Sequence, residues 1–160
     1  MDQAALIKQL DTVLQQPQAQ QALHSALAQA RARLLASDDE WQSVAVPIES
    51  YGDSLPDAIQ SSRVVVFRAG AAGRYERHPN STQLVHVLAG TVDIQTLTDN
   101  QWHSNLKGAD STELADRWSY VPQGIWHHPV VSDDSDCEIV AFHTVPAEQL
   151  IDEHHGYPQP

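Results

Sequence analysis

From residue 41 onward the chain is a series of short β-prone runs separated by closely spaced turn signals. We predict strands over residues 43–48, 63–69, 74–78, 83–88, 91–97, 117–121 and 138–145. Gly, Pro, Asn and Asp cluster between these runs, as they do at chain reversals. Many short strands at such spacing are typical of an all-β sandwich or barrel.

The first 36 residues have a different pattern, because they are rich in Ala, Gln and Leu and contain no Gly. Apolar residues recur there at helical spacing, and Pro17 suits the first turn of a second helix. We therefore predict an N-terminal α-helical hairpin over residues 1–40, a β-barrel over 41–150 and a polar tail over 151–160. The hairpin is expected to cap the barrel or to form a dimer interface. The tail is expected to hang loose or to pack on a neighbour, with His154 and His155 on its surface.

The charge of the chain excludes several classes of partner. Acidic residues number 21 and basic residues 9, which gives a formal net charge of -12. An anionic nucleic acid or membrane surface would be repelled, so we predict neither as a partner. The single cysteine, Cys137, cannot form an internal disulfide, and no signal peptide or membrane-spanning run is apparent. These features predict a cytoplasmic protein of one domain.

The first stretch that carries chemistry lies between two glycines. Gly70, Glu76, His78, Gln83 and Gly90 are separated by five, one, four and six residues. Residues at positions i and i+2 of a strand share a face, so Glu76 and His78 can both point into a barrel. The same alternation puts the odd-numbered residues from 83 to 89 on one face and the even-numbered residues on the other.

A second stretch begins at Asp116, beyond Gly90. It contains Asp116, Pro122, Gly124 and His127, and the Pro-x-Gly turn can swing His127 back toward the same cavity. Together the two stretches resemble the two sequence motifs of the cupin superfamily. The first motif of that family reads Gly, five residues, His, one residue, His, four residues, Glu, six residues, Gly. The second reads Gly-Asp, Pro-x-Gly, His and Asn, and this chain departs from it where 115 is Ala and 131 is Val.

The resemblance implies a double-stranded β-helix, or jelly-roll barrel, that holds a divalent metal at four positions. Those positions are Glu76, His78, Gln83 and His127. In the family they are three His and one Glu, so here Glu76 replaces the first His and Gln83 replaces the Glu. Two imidazoles and one carboxylate suit non-haem iron, and Mn, Ni or Zn are the other candidates. Gln83 is a weak fourth donor, or it hydrogen-bonds a metal-bound water or the substrate instead.

Two alternatives remain open at this stage. In a second alignment of the first motif, His78 is the first His and Asn80 the second, although this leaves only two residues between Asn80 and Gln83. Alternatively, the barrel keeps the fold but its site has decayed and binds no metal, because two of the four ligand positions are substituted.

Several other residues have expected positions. His86 lies on the opposite strand face from Gln83 and is expected at a sheet or dimer interface, whereas His128 should point away if His127 points inward. The parity of His143 is left open. Arg74 could pair with a substrate carboxylate, but Arg77 has the wrong parity for the interior.

The function predicted from these residues is that of a metal-dependent small-molecule enzyme. The resemblance implies a dioxygenase, an isomerase or a lyase, with Glu76 as a metal ligand or a general base. The rival hypothesis is a non-catalytic protein that binds a sugar or a small acid at a degenerate metal site. The resemblance also implies a homodimer.

Overall fold

The computed structural model describes residues 2–155, which form an N-terminal helical hairpin and eleven strands. The helices are α1 (Gln3–Leu14), α2 (Pro17–Leu35) and the single turn α3 (Leu114–Arg117). The strands are β1 (Trp41–Ala45), β2 (Ser61–Phe67), β3 (Tyr75–Arg77), β4 (Gln83–Ala89), β5 (Thr91–Thr98), β6 (Gln101–His103), β7 (Leu106–Gly108), β8 (Trp118–Val121), β9 (His127–Val131), β10 (Cys137–His143) and β11 (Glu153–His155). Short 3-10 turns occupy Ile48–Tyr51 and Ala147–Gln149.

The strands form two antiparallel sheets. One has the order β1-β2-β10-β4-β8, and the other has the order β11-β3-β9-β5-β6 with β7 also paired to β5. Neighbours in these sheets are mostly distant in sequence, as in a jelly roll, where successive strands cross between the two sheets. The all-β prediction with an N-terminal helical hairpin is confirmed.

The inner core lies between the two sheets and follows the predicted alternation along β4. Val85 and Val87 belong to the inner core, together with Val65, Ile94 and Ile139 from other strands. Burial of each such side chain contributes roughly 1.5–3 kcal/mol. The polar side chains on this inner side, among them Gln83 and His143, line one cavity.

The outer core lies between the helical hairpin and the first sheet. Leu10 and Leu23 from the helices are fully or almost fully buried against outward residues of the strands, among them Leu84, Val140 and Phe142. The hairpin thus covers the side of the barrel, and Pro17 starts α2 at a position where its missing N–H costs nothing.

The turn between β4 and β5 shows why the first motif ends in glycine. Gly90 has a φ of +76°, and a Cβ there would lie 2.4 Å from the carbonyl oxygen of Asp136. A larger residue would therefore meet both backbone strain and a steric clash.

The C-terminal segment differs from the prediction of a loose tail. Residues Glu153–His155 form β11, which pairs with β3 at the edge of the second sheet. Asn80 fastens the approach to this strand, because its Nδ2 donates to the Gln149 carbonyl and its Oδ1 accepts from the Ile151 N–H. The open edge of β3 offers backbone partners that the polar composition of the tail does not reveal. Residues 156–160, also assigned to the tail, lie outside the described residues.

No helix within residues 2–155 has the length and apolar character needed to cross a membrane.

Candidate metal site

Strands β3 and β9 bring two of the predicted ligands together. Glu76 and His127 are direct partners in the antiparallel register, and the Glu76 Oε1 lies 3.3 Å from the His127 Nε2. His78 follows β3 by one residue and keeps the inward parity of Glu76. Its ring centroid lies 5.1 Å from that of His127. One ligand atom from each of the three residues lies within 4.8 Å of the others.

The two imidazoles of this group are buried, and of their four ring nitrogens only the His127 Nδ1, which contacts the Ile125 carbonyl at 3.2 Å, has a hydrogen-bond partner among the described residues. His78 and His127 are 4% and 2% exposed. Neither ring nitrogen of His78 makes a well-aligned hydrogen bond with any residue from 2 to 155, and the same holds for the Nε2 of His127. Buried polar atoms are almost always satisfied, because an unsatisfied one costs roughly 1–3 kcal/mol. A cation bound between these atoms would satisfy them, so the donor set fits a divalent metal.

The electrostatics keep Glu76 in its ionised form. Burial alone would raise the pKa of this carboxyl, but the contact with His127 and the charge of His78 outweigh it and hold the pKa below its usual value. An ionised carboxylate is the form that binds a metal.

Gln83 and His143 lie side by side in the same cavity. They are direct partners in the pairing of β4 with β10, and both line the cavity. The His143 ring meets His78 edge-on at 4.9 Å between centroids. Burial, followed by the charge of His78, lowers the pKa of His143 to about 3, so the ring is neutral at ordinary pH. The sequence left the parity of His143 open, and its register with Gln83 now places it inside.

Asp152 is a site residue that the sequence did not indicate. Its Oδ1 lies 2.7 Å from the His78 Nδ1, within ion-pair distance although not in the geometry of a well-aligned hydrogen bond. This contact holds the pKa of Asp152 below its usual value, against the opposing effect of burial. Because Asp152 occupies the Nδ1 side of His78, the Nε2 is the atom left for a metal. Asp152 falls in the segment predicted to be loose, and it reaches the site only because β11 pairs with β3.

The cavity around these residues has a volume of about 80 Å³. Much of its wall is apolar and is formed by Val65, Phe67, Val85, Ile94 and Ile139. A space of this size holds about five to eight water-sized groups, so it suits a small ligand. Two arginines line it as well, Arg63 from β2 and Arg74 near the mouth, where the Arg74 guanidinium lies 5.2 Å from the Trp41 ring centroid.

Two other histidines lie outside the cavity. His86 is buried beside Trp118 under the hairpin, with ring centroids 4.7 Å apart, so it belongs to the sheet–helix interface. Burial lowers its pKa to about 4. His128 points away from His127 as predicted, since its Nδ1 contacts the Gly73 carbonyl and its ring stacks on Tyr75.

The remaining candidates can also be placed. Asn80 contacts the backbone of Gln149 and Ile151 instead of the histidine cluster, so the structure does not support the second alignment of the first motif. Arg77 lies on the outer face, 4.8 Å from the Trp126 ring centroid and paired with Glu153. Burial raises the pKa of Cys137 to about 12, which makes its thiol a poor nucleophile.

Comparison with known proteins shows similarity at the level of the fold. No protein-family model and no curated protein matches the chain. Oxalate oxidase in complex with the substrate analogue glycolate superimposes with a TM-score of 0.56 and 14% identity, covering 72% of this chain and 56% of that one. A deletion mutant of Bacillus subtilis oxalate decarboxylase gives 0.56 and 14%, covering 74% and 29%. Procruciferin, an 11S globulin from Brassica napus, gives 0.55 and 14%, covering 74% and 28%.

These similarities establish the cupin fold that the two motifs predicted. The chain spans about half the length of the oxalate oxidase, at 56%, and less than a third of the other two proteins. Two of the three are named as enzymes and one as a globulin, so the fold does not determine the activity.

Proposed function

We propose that this protein is a metal-dependent enzyme acting on a small molecule, with a divalent metal held by Glu76, His78 and His127. One observation carries the proposal. Two buried imidazoles with unsatisfied nitrogens and one ionised carboxylate converge in one cavity of the barrel, beside apolar walls. An apolar barrel does not gain stability from such a group unless something binds it.

A metal bound there would act as a Lewis acid or as a site for O2. The residues around the metal position have different roles. Asp152 holds His78 in one orientation, and Glu76 serves as a ligand or as a general base for a nearby proton. Gln83 offers an amide hydrogen-bond donor to the bound molecule. The apolar walls exclude water, which strengthens each electrostatic contact inside the cavity.

The donor set favours oxygenase chemistry among the reaction types that the sequence suggested. Two imidazoles and one carboxylate with open positions are the ligands of many non-haem iron oxygenases. Mn, Ni and Zn accept the same donors, and they would fit an isomerase or a lyase instead. The homodimer and the cytoplasmic location remain predictions from the sequence.

A second candidate is a binding protein without turnover. Gln83 favours it, because an amide at this position removes the carboxylate that the cupin motif places there. In that case the cavity would hold a small ligand without a metal, and the buried imidazoles would bind the ligand directly.

Metal content separates the two candidates. We expect near-stoichiometric Fe, Mn, Ni or Zn by inductively coupled plasma mass spectrometry of protein purified without a histidine tag. His78→Ala and His127→Ala should lose the metal while the barrel stays folded by circular dichroism. His24→Ala is the matched control, since His24 is an exposed residue of α2. A metal-replete His127→Ala protein would contradict the ligand assignment.

Absence of metal from the wild type after reconstitution would favour the binding protein without turnover. Measurement of O2 uptake in the presence of small acids tests the oxygenase.

A further inference from the structure

Arg63 is a cationic residue on the interior face of the barrel. Val65 and Phe67, two and four residues further along β2, belong to the inner core. Val64 and Val66 belong to the outer core beneath the hairpin. Strand alternation therefore puts Arg63 on the inward face, and it lines the cavity that contains the metal-site residues.

This guanidinium has no partner within residues 2–155. The two carboxylates of the cavity already have histidine partners, because Asp152 contacts His78 and Glu76 contacts His127. Arg63 makes no hydrogen bond or ion pair with a described residue, although it lies near enough to Asp152 and His143 to influence both electrostatically. By contrast, Arg31, Arg77 and Arg117 each pair with a carboxylate outside the cavity.

An inward arginine without a carboxylate partner is an unusual residue in a barrel. Arg63 is half-buried, and an arginine is almost never taken fully out of water unless it is paired, because removal of its charge from water is costly. Its planar fork of N–H donors matches a carboxylate in a bidentate arrangement. The cavity thus supplies the guanidinium of an arginine–carboxylate pair, and a ligand could supply the carboxylate.

We propose that Arg63 binds the carboxylate of a small organic acid whose opposite end faces Glu76, His78 and His127. The inference rests on the proposed function, since it names the class of ligand for that same site. The small volume of the cavity restricts the acid to a few carbon atoms. Charge also favours an anion, because Arg63, Arg74 and a divalent metal together outweigh Glu76 and Asp152.

Isothermal titration calorimetry with matched acids and amides tests the inference. The probes are glycolate, lactate and succinate against glycolamide, lactamide and succinamide, titrated into Mn(II)-loaded and metal-free protein. We expect the acids to bind at least about 10-fold more tightly than their amides. Arg63→Gln should weaken the binding of the acids by about 10- to 100-fold and leave the amides unchanged, since a hydrogen bond to a charged group is lost. Arg63→Lys, which keeps the charge without the fork, should fall between the two.

Arg31→Gln is the matched control, because the same substitution there removes an arginine that pairs with Glu138 outside the barrel. It should bind the acids as the wild type does. The inference is overturned if no acid binds, if acids and amides bind equally, if inorganic phosphate binds more tightly than every acid, or if Arg63→Gln keeps the wild-type affinity.

The comparison of acids with amides uses wild-type protein only, so it does not depend on the folding of a variant. Metal content separates this inference from the proposed function. Arg63→Gln should retain its metal. If the wild type binds acids through Arg63 but binds no metal, the proposed metal-dependent enzyme is contradicted and the acid-binding site is supported.

Discussion

At the scale of single residues, sequence spacing identified the part of the site that lies in two short motifs. Glu76, His78 and His127 were predicted from strand alternation and motif spacing, and the structure brings them together. Asp152 and Arg63 were not found. Arg63 is the first residue of a predicted strand. The alternation of that strand does not show which of its two faces lines the cavity. Asp152 depends on a pairing between segments 76 residues apart, which no local pattern encodes.

Asp152 gives the sharpest test at this scale. Asp152→Asn should lower the affinity for Mn(II) or Zn(II) by about 10- to 100-fold, because the ion-pair contact that orients His78 is lost. Competition titration with a chromogenic chelator measures the change. Glu153→Gln is the control, since it removes the neighbouring carboxylate and its exposed ion pair with Arg77 without touching His78. Equal metal affinity in Asp152→Asn and the wild type would show that the contact does not position the ligand.

At the scale of elements, the sequence predicts the long elements and, of the three-residue strands, only β3. The two long helices and the seven predicted strands are present, and no strand end is shifted by more than three residues. Four strands were missed, namely β6, β7, β9 and β11, of which all but β9 have three residues. Three residues are too few to show an alternation, and Pro129 interrupts the β-prone run of β9. Tertiary pairing creates such strands, so a single sequence does not predict them.

The hairpin makes a testable contribution to stability. Leu10→Ala should lower the free energy of unfolding by about 2–5 kcal/mol, because Leu10 is fully buried between the helices and the first sheet. Leu35→Ala is the matched control at the end of α2. Leu35 is 82% exposed, so its truncation should change the free energy of unfolding by less than about 0.5 kcal/mol. Urea denaturation followed by circular dichroism gives both values. A loss for Leu10→Ala as small as that of the control would mean that the hairpin folds independently of the barrel.

At the scale of the whole molecule, the first sheet is shared by two cores. Its inner face packs in the core of the barrel and its outer face packs against the hairpin, so side chains on both faces are buried. Histidines on either face are therefore held neutral. Burial lowers the pKa of His86 to about 4 on the outer face and, together with the charge of His78, that of His143 to about 3 on the inner face. The burial of these two histidines makes the fold sensitive to acid.

The sign of this sensitivity follows from proton binding. The unfolded chain protonates His86 near its ordinary pKa of 6.5, whereas the folded protein resists protonation down to about pH 4. Below pH 6.5 the unfolded state thus binds more protons, and stability falls as the pH falls, by about 1.4 kcal/mol per pH unit for each such histidine. At pH 7.5 the contribution of His86 is fully present. It is lost progressively between pH 6.5 and 4.

Urea denaturation of metal-free protein at pH 7.5, 6.5, 5.5 and 4.5 measures this loss. His86→Leu should show a shallower fall in the free energy of unfolding, by about 1 kcal/mol per unit, because the leucine has no proton to take up. His24→Leu, the same replacement at an exposed position of α2, should keep the wild-type slope. Parallel slopes for His86→Leu and the wild type would show that His86 protonates as readily in the folded protein as in the unfolded chain. The interface between the hairpin and the barrel would then be open to water, and the first sheet would not be dry on both faces.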